Sequence, residues 1–412
     1  MRRRNVDFLC AVVIVGLLAG LAGLSTTLLL RFVEHLTYHY TFGSLLEAVT
    51  GSSPVRRALG PMVGGGLAGL GWWVLRSRTD VPSLSAAIAS PERIRLLPFG
   101  VDAALQVLVV GSGASLGREV APRQLAVALG NFAMGWLKRL SPRDREILLA
   151  CAAGAGLGAV YAVPLGGALF TARVMLKTWQ PRALGAALIT SSLAVAVASF
   201  ATHDQPNLHW PNPDVSYRLI GYALALAPLT LALGLAFNRL MAAASHGALT
   251  RSWLLIPAIA GAGLLVGVCS RWWPELPGNG KSILTTTLAG GMTLETAAIV
   301  LVLKPLLTAV FLRAGARGGM FTPALATGAA AGTLFVLSIN AVAGTQFHVP
   351  AISLAGAAGV LAVTQRAPFW AAIFVWELAR PPLWLLLVFL VAALSSYGLQ
   401  LLVERRRGLV RP

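Results

Sequence analysis

The chain is short of charge, and shorter still of negative charge. Of its 412 residues 12% are charged, with 15 Asp and Glu against 33 Lys and Arg, a formal net charge of +18. So few charges, with 56% hydrophobic residues and a mean hydropathy of +0.73, exclude an ordinary soluble globular domain. Cysteine is nearly absent: Cys10, Cys151 and Cys269 lie in separate apolar segments without metal or disulfide spacing, which leaves packing as their role. Six histidines at no ligand spacing give no metal site, and nothing calls for a cofactor. There is no phosphate-binding loop, nucleophile elbow or pair of catalytic carboxylates, so an enzyme is not expected. Long polar stretches are missing too. The longest, "THDQPNLHWPNPDVSY" (202–217), reads as a loop near the midpoint.

What is present is apolar. Phe8–Leu30, Tyr217–Phe237 and Leu383–Val403 each reach the ~20 residues needed to cross a bilayer. The composition therefore predicts an all-α polytopic integral membrane protein in contact with the lipid bilayer. Its basic residues cluster at span ends, at 2–4, 56–57, 138–145 and 405–407, as in cytoplasmic loops, so no nucleic-acid partner is expected. Both termini are basic, which places both in the cytoplasm and requires an even number of crossings. The N-terminus, "MRRRNVDFLCAVVIVGLLAG", mimics a signal peptide. Its apolar run of about twenty residues is longer than the usual 7–15, so it reads as an uncleaved first helix.

Two halves, 1–205 and 206–412, resemble each other. "AVPLGGALFTARVM" (162–175) matches "RAPFWAAIFVWELA" (366–379), with Pro164 and Phe170 repeated as Pro368 and Phe374. "GREVAP", ending at Pro122, matches "GGMFTP", ending at Pro323; the offsets are 204 and 201. Two ordered pairs at one offset argue for duplication. Several apolar segments, 82–90, 122–137, 146–161, 165–176, 321–335 and 368–378, are broken by Gly or Pro and read as too short to span. Paired interrupted segments in two halves point to a transporter's binding site.

The chemistry concentrates in "GSGASLGREVAP" (111–122), where Arg118 and Glu119 interrupt an apolar region. Glycines followed by Pro122 predict a loop entering a helix, with the N–H groups of Gly117, Arg118, Glu119 and Val120 unpaired. "ARGGMFTPAL" (316–325) repeats the pattern with Gly319, Met320, Phe321 and Thr322. A helix N-terminus offers free N–H donors and about half a positive charge, which suits an anion. Two converging termini can hold a small anion and still release it. A carboxylate there costs on the order of 2.5–3.5 kcal/mol at mid-membrane, which calls for a function or an arginine partner such as Arg118.

These motifs resemble the CLC chloride channels and chloride/proton antiporters. "GREVAPRQ" (117–124) is similar to the family's G-R/K-E-G-P motif and "GGMFTP" (318–323) to G-x-F-x-P. "VPLGGALF" (163–170), "AGAAGVLAVTQRAPFWAAIFVWEL" (355–378) and "LPGNG" (276–280) also match, over roughly 60–400. The resemblance implies about 18 helices in two inverted-topology repeats. It also implies a homodimer with one pore per protomer in a bacterial inner membrane, and no C-terminal regulatory domain. It makes Glu119 the gate, moved by protonation or anion competition. Chloride or a similar small anion would be held by backbone amides of 117–120 and 319–322, with protons as a second possible cargo.

The sequence also departs from the family. The motif proline comes one residue late. The first anion-site motif becomes "RTDVPSL" (78–84), in which Thr79 takes the serine's place, unless Thr79 and Asp80 simply cap a short helix. The resemblance implies a coordinating tyrosine near Pro382; none is there, and Trp384 is either a shield or an interfacial anchor. The antiporters' internal glutamate falls at Arg173 or Val174, which favours a channel or weakly coupled transport. Fluoride-selective relatives also depart from the serine and tyrosine pattern, so the resemblance leaves a fluoride exporter of the same fold as the alternative. Arg366 and Glu377 read as structural charges and a candidate pair, and Lys304 and Arg313 as snorkelling.

Overall fold

The structure is a computed structural model. It describes all residues except 1, 41–42, 91–93, 138–139, 203–209, 211–215, 407 and 409–412. Most of the midpoint loop and the last residues of the basic C-terminus thus lie outside the described residues.

Eighteen α-helices form among the described residues, with no strand. The first half holds α1 (Arg2–Tyr38), α2 (Leu45–Gly51), α3 (Pro54–Arg78), α4 (Leu84–Ala89) and α5 (Leu96–Gly111). It continues with α6 (Val120–Met134), α7 (Pro142–Tyr161), α8 (Pro164–Leu169), a π-helical turn at Phe170–Met175, and α9 (Pro181–Thr202). The second half holds α10 (Arg218–Ala225), α11 (Ala227–His246), α12 (Leu255–Cys269), α13 (Lys281–Leu288) and α14 (Leu294–Arg313). Then come α15 (Phe321–Ala343), α16 (Val349–Gln365), α17 (Pro368–Ala379) and α18 (Leu385–Arg406). Among the described residues, seven helices are long and apolar enough to cross a membrane. The chain is a polytopic integral membrane protein.

Two expected lengths change. Tyr217–Phe237 is not one span. It divides into α10 and α11 around Leu226, where Pro228 supplies no N–H to a continuous ladder. Segment 321–335, read as short, runs on to Ala343 as a 23-residue helix, because nothing from 336 to 343 breaks it.

Local chemistry sets the helix ends. Prolines 54, 142, 164, 181 and 368 open helices, where the missing N–H costs nothing. Ser141 and Asp144 form a capping box on α7. The repeat is visible in the backbone. Ala162 ends α7 at φ 55° and Val163 (φ −125°, ψ 75°) leads into Pro164. Arg366 ends α16 at φ 55° and Ala367 (φ −140°, ψ 72°) leads into Pro368. The repeated segments also touch. Trp370 Nε1–H donates to Gly166 O at 2.9 Å, and Glu377 accepts the N–H groups of Leu165 (3.0 Å) and Gly166 (2.6 Å). Glu377 therefore caps α8 and is not paired with Arg366, which instead binds Glu404 at 2.6 and 2.8 Å.

Lipid is as apolar as leucine, so helices associate through close backbone packing at small residues. On α3, a Cβ at Gly65 or Gly69 would sit 2.6 Å from Ile259 O or Leu255 O of α12. From the other side, a Cβ at Gly263 would lie 2.1 Å from Pro61 O. The α15 and α16 pair meets likewise through Gly328, Gly332 and Gly356. The deepest helices are α7 and α16, whose stretches 147–161 and 350–363 are buried throughout. α7 therefore delivers its last residue, Tyr161, to the molecule's interior.

Candidate anion site

The two motif loops meet. Gly117 N–H donates to Gly319 O at 2.7 Å, and Gly319 N–H donates to Gly117 O at 2.8 Å. This bridge sets the starts of α6 and α15 side by side. It also corrects an expectation: the Gly117 and Gly319 amides are spent on each other and are not open to an anion. Neither N-cap residue, Glu119 for α6 or Met320 for α15, caps its own helix through its side chain.

Glu119, fully buried, folds over the bridge. Its Oε1 accepts the Phe321 N–H at 2.7 Å. Its Oε2 accepts from the Tyr161 hydroxyl at 3.2 Å and the Thr322 hydroxyl at 3.1 Å, and those two hydroxyls lie 2.7 Å apart. The floor is glycine by necessity: a Cβ on Gly117 would stand 2.2 Å from Oε2, and one on Gly319 1.9 Å from Oε1. The carboxylate thus occupies a seat made of one backbone amide, two hydroxyls and two bare Cα atoms. Nothing in the seat is a formal cation; its donors are one amide and two hydroxyl dipoles.

Around the seat, Arg118 turns away from its neighbour. Its NH2 donates to Val160 O at 3.2 Å and its guanidinium lies 5.2 Å from the Tyr161 ring centroid. Arg118 and Glu119 are therefore not a structural ion pair. Arg123, buried, stacks on Phe170 (4.5 Å) and Phe321 (5.3 Å). Phe170, Phe321, Trp370, Phe374 and Tyr161 form a continuous aromatic wall with centroid spacings of 5.1–5.7 Å. Val120 and Met320 stand at the helix starts beside the seat, with no hydrogen bond to Glu119.

Thr79 is not brought to this cluster. It ends α3 and lines a cavity of about 290 Å³ with Asp80, Pro82, Ser90, Arg95 and Phe99. The alternative role for the pair also fails, since Ser83 caps α4 and exposed Asp80 pairs with Arg251. The start of α3 meets the end of α1, where Arg56 Nε donates to Thr37 O at 2.7 Å, and Thr79 closes the far end of the 25-residue α3. A second cavity, of about 400 Å³, opens at the end of α1 and reaches Arg118, Val160 and Asn279 beside the seat.

Other charges resolve plainly. Lys304 does not snorkel: it is fully buried and donates to Leu276 O (2.9 Å) and Gly278 O (2.6 Å), pinning the LPGNG loop. Arg313 is exposed. Arg173 stacks on Trp179, Pro382 is exposed, and Trp384 packs against the second half's core. Sequence reasoning missed Tyr161, two residues before the VPLGGALF motif. It also missed Asp102, a fully buried acid on α5. Asp102 accepts from Trp72 Nε1 (2.9 Å), Gln106 Nε2 (2.9 Å) and Gln124 Nε2 (3.0 Å), and meets Arg317 at 3.5 Å. It ties α3, α5 and α6 to the residue that precedes the Gly318–Gly319 loop.

A family model described as voltage gated chloride channel matches residues 64–400. The chain belongs to that family. A relative called voltage-gated ClC-type chloride channel ClcB, from Escherichia coli (strain SMS-3-5 / SECEC), is 31% identical over 375 residues, covering 89% of each chain. In fold the chain matches a slow cyanobacterial Cl−/H+ antiporter with a TM-score of 0.80 at 20% identity, over 98% of both chains. It matches a CLC-type fluoride/proton antiporter at 0.76 and 17%, over 96% of this chain and 95% of that one. A eukaryotic CLC transporter matches at 0.75 and 16%, over 97% of this chain and 74% of that one. As a CLC-family protein the chain is an anion transporter and not an enzyme.

Proposed function

We propose that the protein moves chloride or a similar small monovalent anion across a bacterial inner membrane, with Glu119 as its gate. The observation that carries this reading is the seat. A buried carboxylate lies on two bare glycines and accepts one amide and two hydroxyl hydrogen bonds, the donor set a free anion needs in its place. Departure of the carboxylate, on protonation or on competition with an anion, opens that position to the ion. Arg118, Val120 and Met320 border it, Phe321 and Thr322 supply donors, and Gly117 and Gly319 supply space. Thr79 offers a hydroxyl at the opposite mouth. Both termini are taken as cytoplasmic, which puts the Thr79 cavity inside and the Arg118 cavity outside. The halves 1–205 and 206–412 are inverted repeats, and two copies pair in the membrane.

No acid stands at Arg173 or Val174, which supports a channel or a weakly proton-coupled exchanger. Fluoride is the second reading. It is supported by three donors converging on one seat, which suits a small, strongly hydrated anion, and by the absence of a tyrosine near Pro382. The test is the reversal potential of the purified protein in a planar bilayer under a chloride gradient, then with an added pH gradient. A potential that follows chloride alone marks a channel, and one that also shifts with pH marks coupling. Silence with chloride and then with fluoride would contradict the proposal.

A further inference from the structure

Arg123 stands one turn into α6 beyond Glu119 and is buried. Its company is apolar. The guanidinium lies 4.5 Å from the Phe170 ring centroid and 5.3 Å from that of Phe321, and its Nη2 donates to the Met175 sulfur at 3.8 Å. Its buried Nε has no partner, and no acid forms an ion pair with it among the described residues. Glu119 is the acid whose charge reaches it, from beyond ion-pair distance. Two aromatic faces offset only part of the cost of burying a cation, so the fold keeps a positive charge here that it does not neutralise. An ionisable side chain held that way inside a membrane protein points to function.

We infer that Arg123 is a specificity-determining residue: its fixed charge bars protons from Glu119 along one of the two approaches to the seat, so that the gate exchanges protons only from the side of Arg118. This rests on the anion-pathway reading and on Glu119 as gate.

Chain direction separates the two approaches. Arg182 binds Asp144 at 2.9 Å and Asn5 at 3.4 Å, so the starts of α1, α7 and α9 share one face. From that face α7 runs in to Tyr161 at the seat. α8 and the π-helical turn Phe170–Met175 then lead back out toward Pro181, where α9 begins. α6 likewise leaves the seat and ends at Met134, shortly before Ser141 caps α7. Arg123 and Met175 therefore lie between Glu119 and the Asp144 face. The cavity that reaches Arg118 opens at the other end of the 37-residue α1, on the opposite side of the carboxylate.

The approach from the Asp144 face has no acid to pass a proton on. The π-helical turn contributes none: the Thr171 hydroxyl is tied to Ala150 O and Gly167 O, and Arg173 stacks on Trp179. A proton must pass a guanidinium in a buried wall. Like-charge repulsion there is about four times that in water at an effective dielectric of about 20, while an anion is attracted. Charges on the neighbouring elements do not cancel it. Asp102 of α5 is committed to Trp72, Gln106, Gln124 and Arg317, and Glu377 of α17 to the start of α8. α7 brings the Tyr161 hydroxyl, which donates to Glu119, and buried Cys151. Lys304 of α14 is held by two carbonyls, and α15 carries no charged residue. Arg31, Glu34 and Lys281 line the cavity on the far side of Arg118.

The experiment uses the full chain in liposomes at low protein density. An N-terminal tag lies on the Asp144 face, and capture by that tag selects one orientation. Chloride efflux, then fluoride efflux, is measured with the pH of each face stepped in turn. Wild-type efflux should respond to pH on the face of the Arg118 cavity and stay flat on the Asp144 face. Arg123→Gln and Arg123→Met should gain a response on the Asp144 face, of about three- to tenfold, and Arg123→Lys should stay flat there. Adding Glu119→Ala to Arg123→Gln should remove the gained response, because the proton acts at the gate. Wild-type efflux that follows pH on the Asp144 face would overturn the barrier and leave anion transport standing. So would folded neutral variants that stay flat there, or an Arg123→Lys protein that matches them. A purely structural arginine would lower the melting temperature of all three variants and open no new pH response. Wild-type protein silent with both anions would sink the transport reading, and the barrier with it.

Discussion

Gly319→Ala should release the gate without unfolding the protein. Gly319 does not adopt the left-handed backbone that favours glycine, so alanine is tolerated by the chain itself. The collision is with Glu119: the new methyl would lie 1.9 Å from its Oε1 and 2.1 Å from its Cδ. Ordinary contact needs well over 3 Å, so the carboxylate must move by more than an ångström. The move breaks its 2.7 Å bond to the Phe321 N–H. A hydrogen bond to a charged acceptor is worth about 1.5–3 kcal/mol, so the seated population should fall roughly 10- to 100-fold. The assay is chloride efflux from liposomes between acid and alkaline pH, with melting temperature and size-exclusion profile as controls. Gly319→Ala should lose most of the wild-type pH dependence. The double variant with Glu119→Ala should move the anion more slowly than Glu119→Ala alone, because the methyl also fills part of the position that the carboxylate leaves to the anion. A folded Gly319→Ala protein with wild-type pH dependence would refute the seat.

Other outcomes follow from the same geometry. Tyr161→Phe keeps the ring against Phe374 and Arg118 but removes one donor that Glu119 and a displacing anion share, so in the Glu119→Ala background, where only the anion uses it, half-saturating chloride should rise, by roughly two- to tenfold in a flux titration. Asp102→Leu leaves the buried Trp72 Nε1–H unpaired and takes one acceptor each from Gln106 and Gln124, which keep Gln124 Oε1 and Phe99 O; it should cost about 1–3 kcal/mol, read as a lowered melting temperature in detergent. Gly263→Val would drive a side chain into Pro61 O, 2.1 Å from the new Cβ, and should yield aggregated protein on size exclusion.

The local motifs were readable because their function depends on backbone. Glycines followed by a proline mark a helix start wherever they occur, and two such marks at nearly one offset predicted the pair that Gly117 and Gly319 complete. The partners of Glu119 were less readable. Tyr161 lies 42 residues away in sequence and belongs to no motif, and only the depth of α7 brings it to the carboxylate. Lys304 looked like a surface lysine on an apolar helix, because nothing in its own segment announces the carbonyls of Leu276 and Gly278. The supposed Arg366–Glu377 pair failed for the same reason. Each charge found a partner set by tertiary packing, Glu404 for one and the start of α8 for the other. Periodicity alone ran Tyr217–Phe237 through Pro228, where the backbone stops.

The most direct test is anion efflux from liposomes holding wild-type protein or Glu119→Ala, measured with chloride and with fluoride across a range of pH. The account predicts that the wild-type protein moves one of these anions with a rate that depends on pH, and that Glu119→Ala moves it with little dependence. A silent wild type, or a Glu119→Ala protein that keeps the wild-type pH profile, would contradict it.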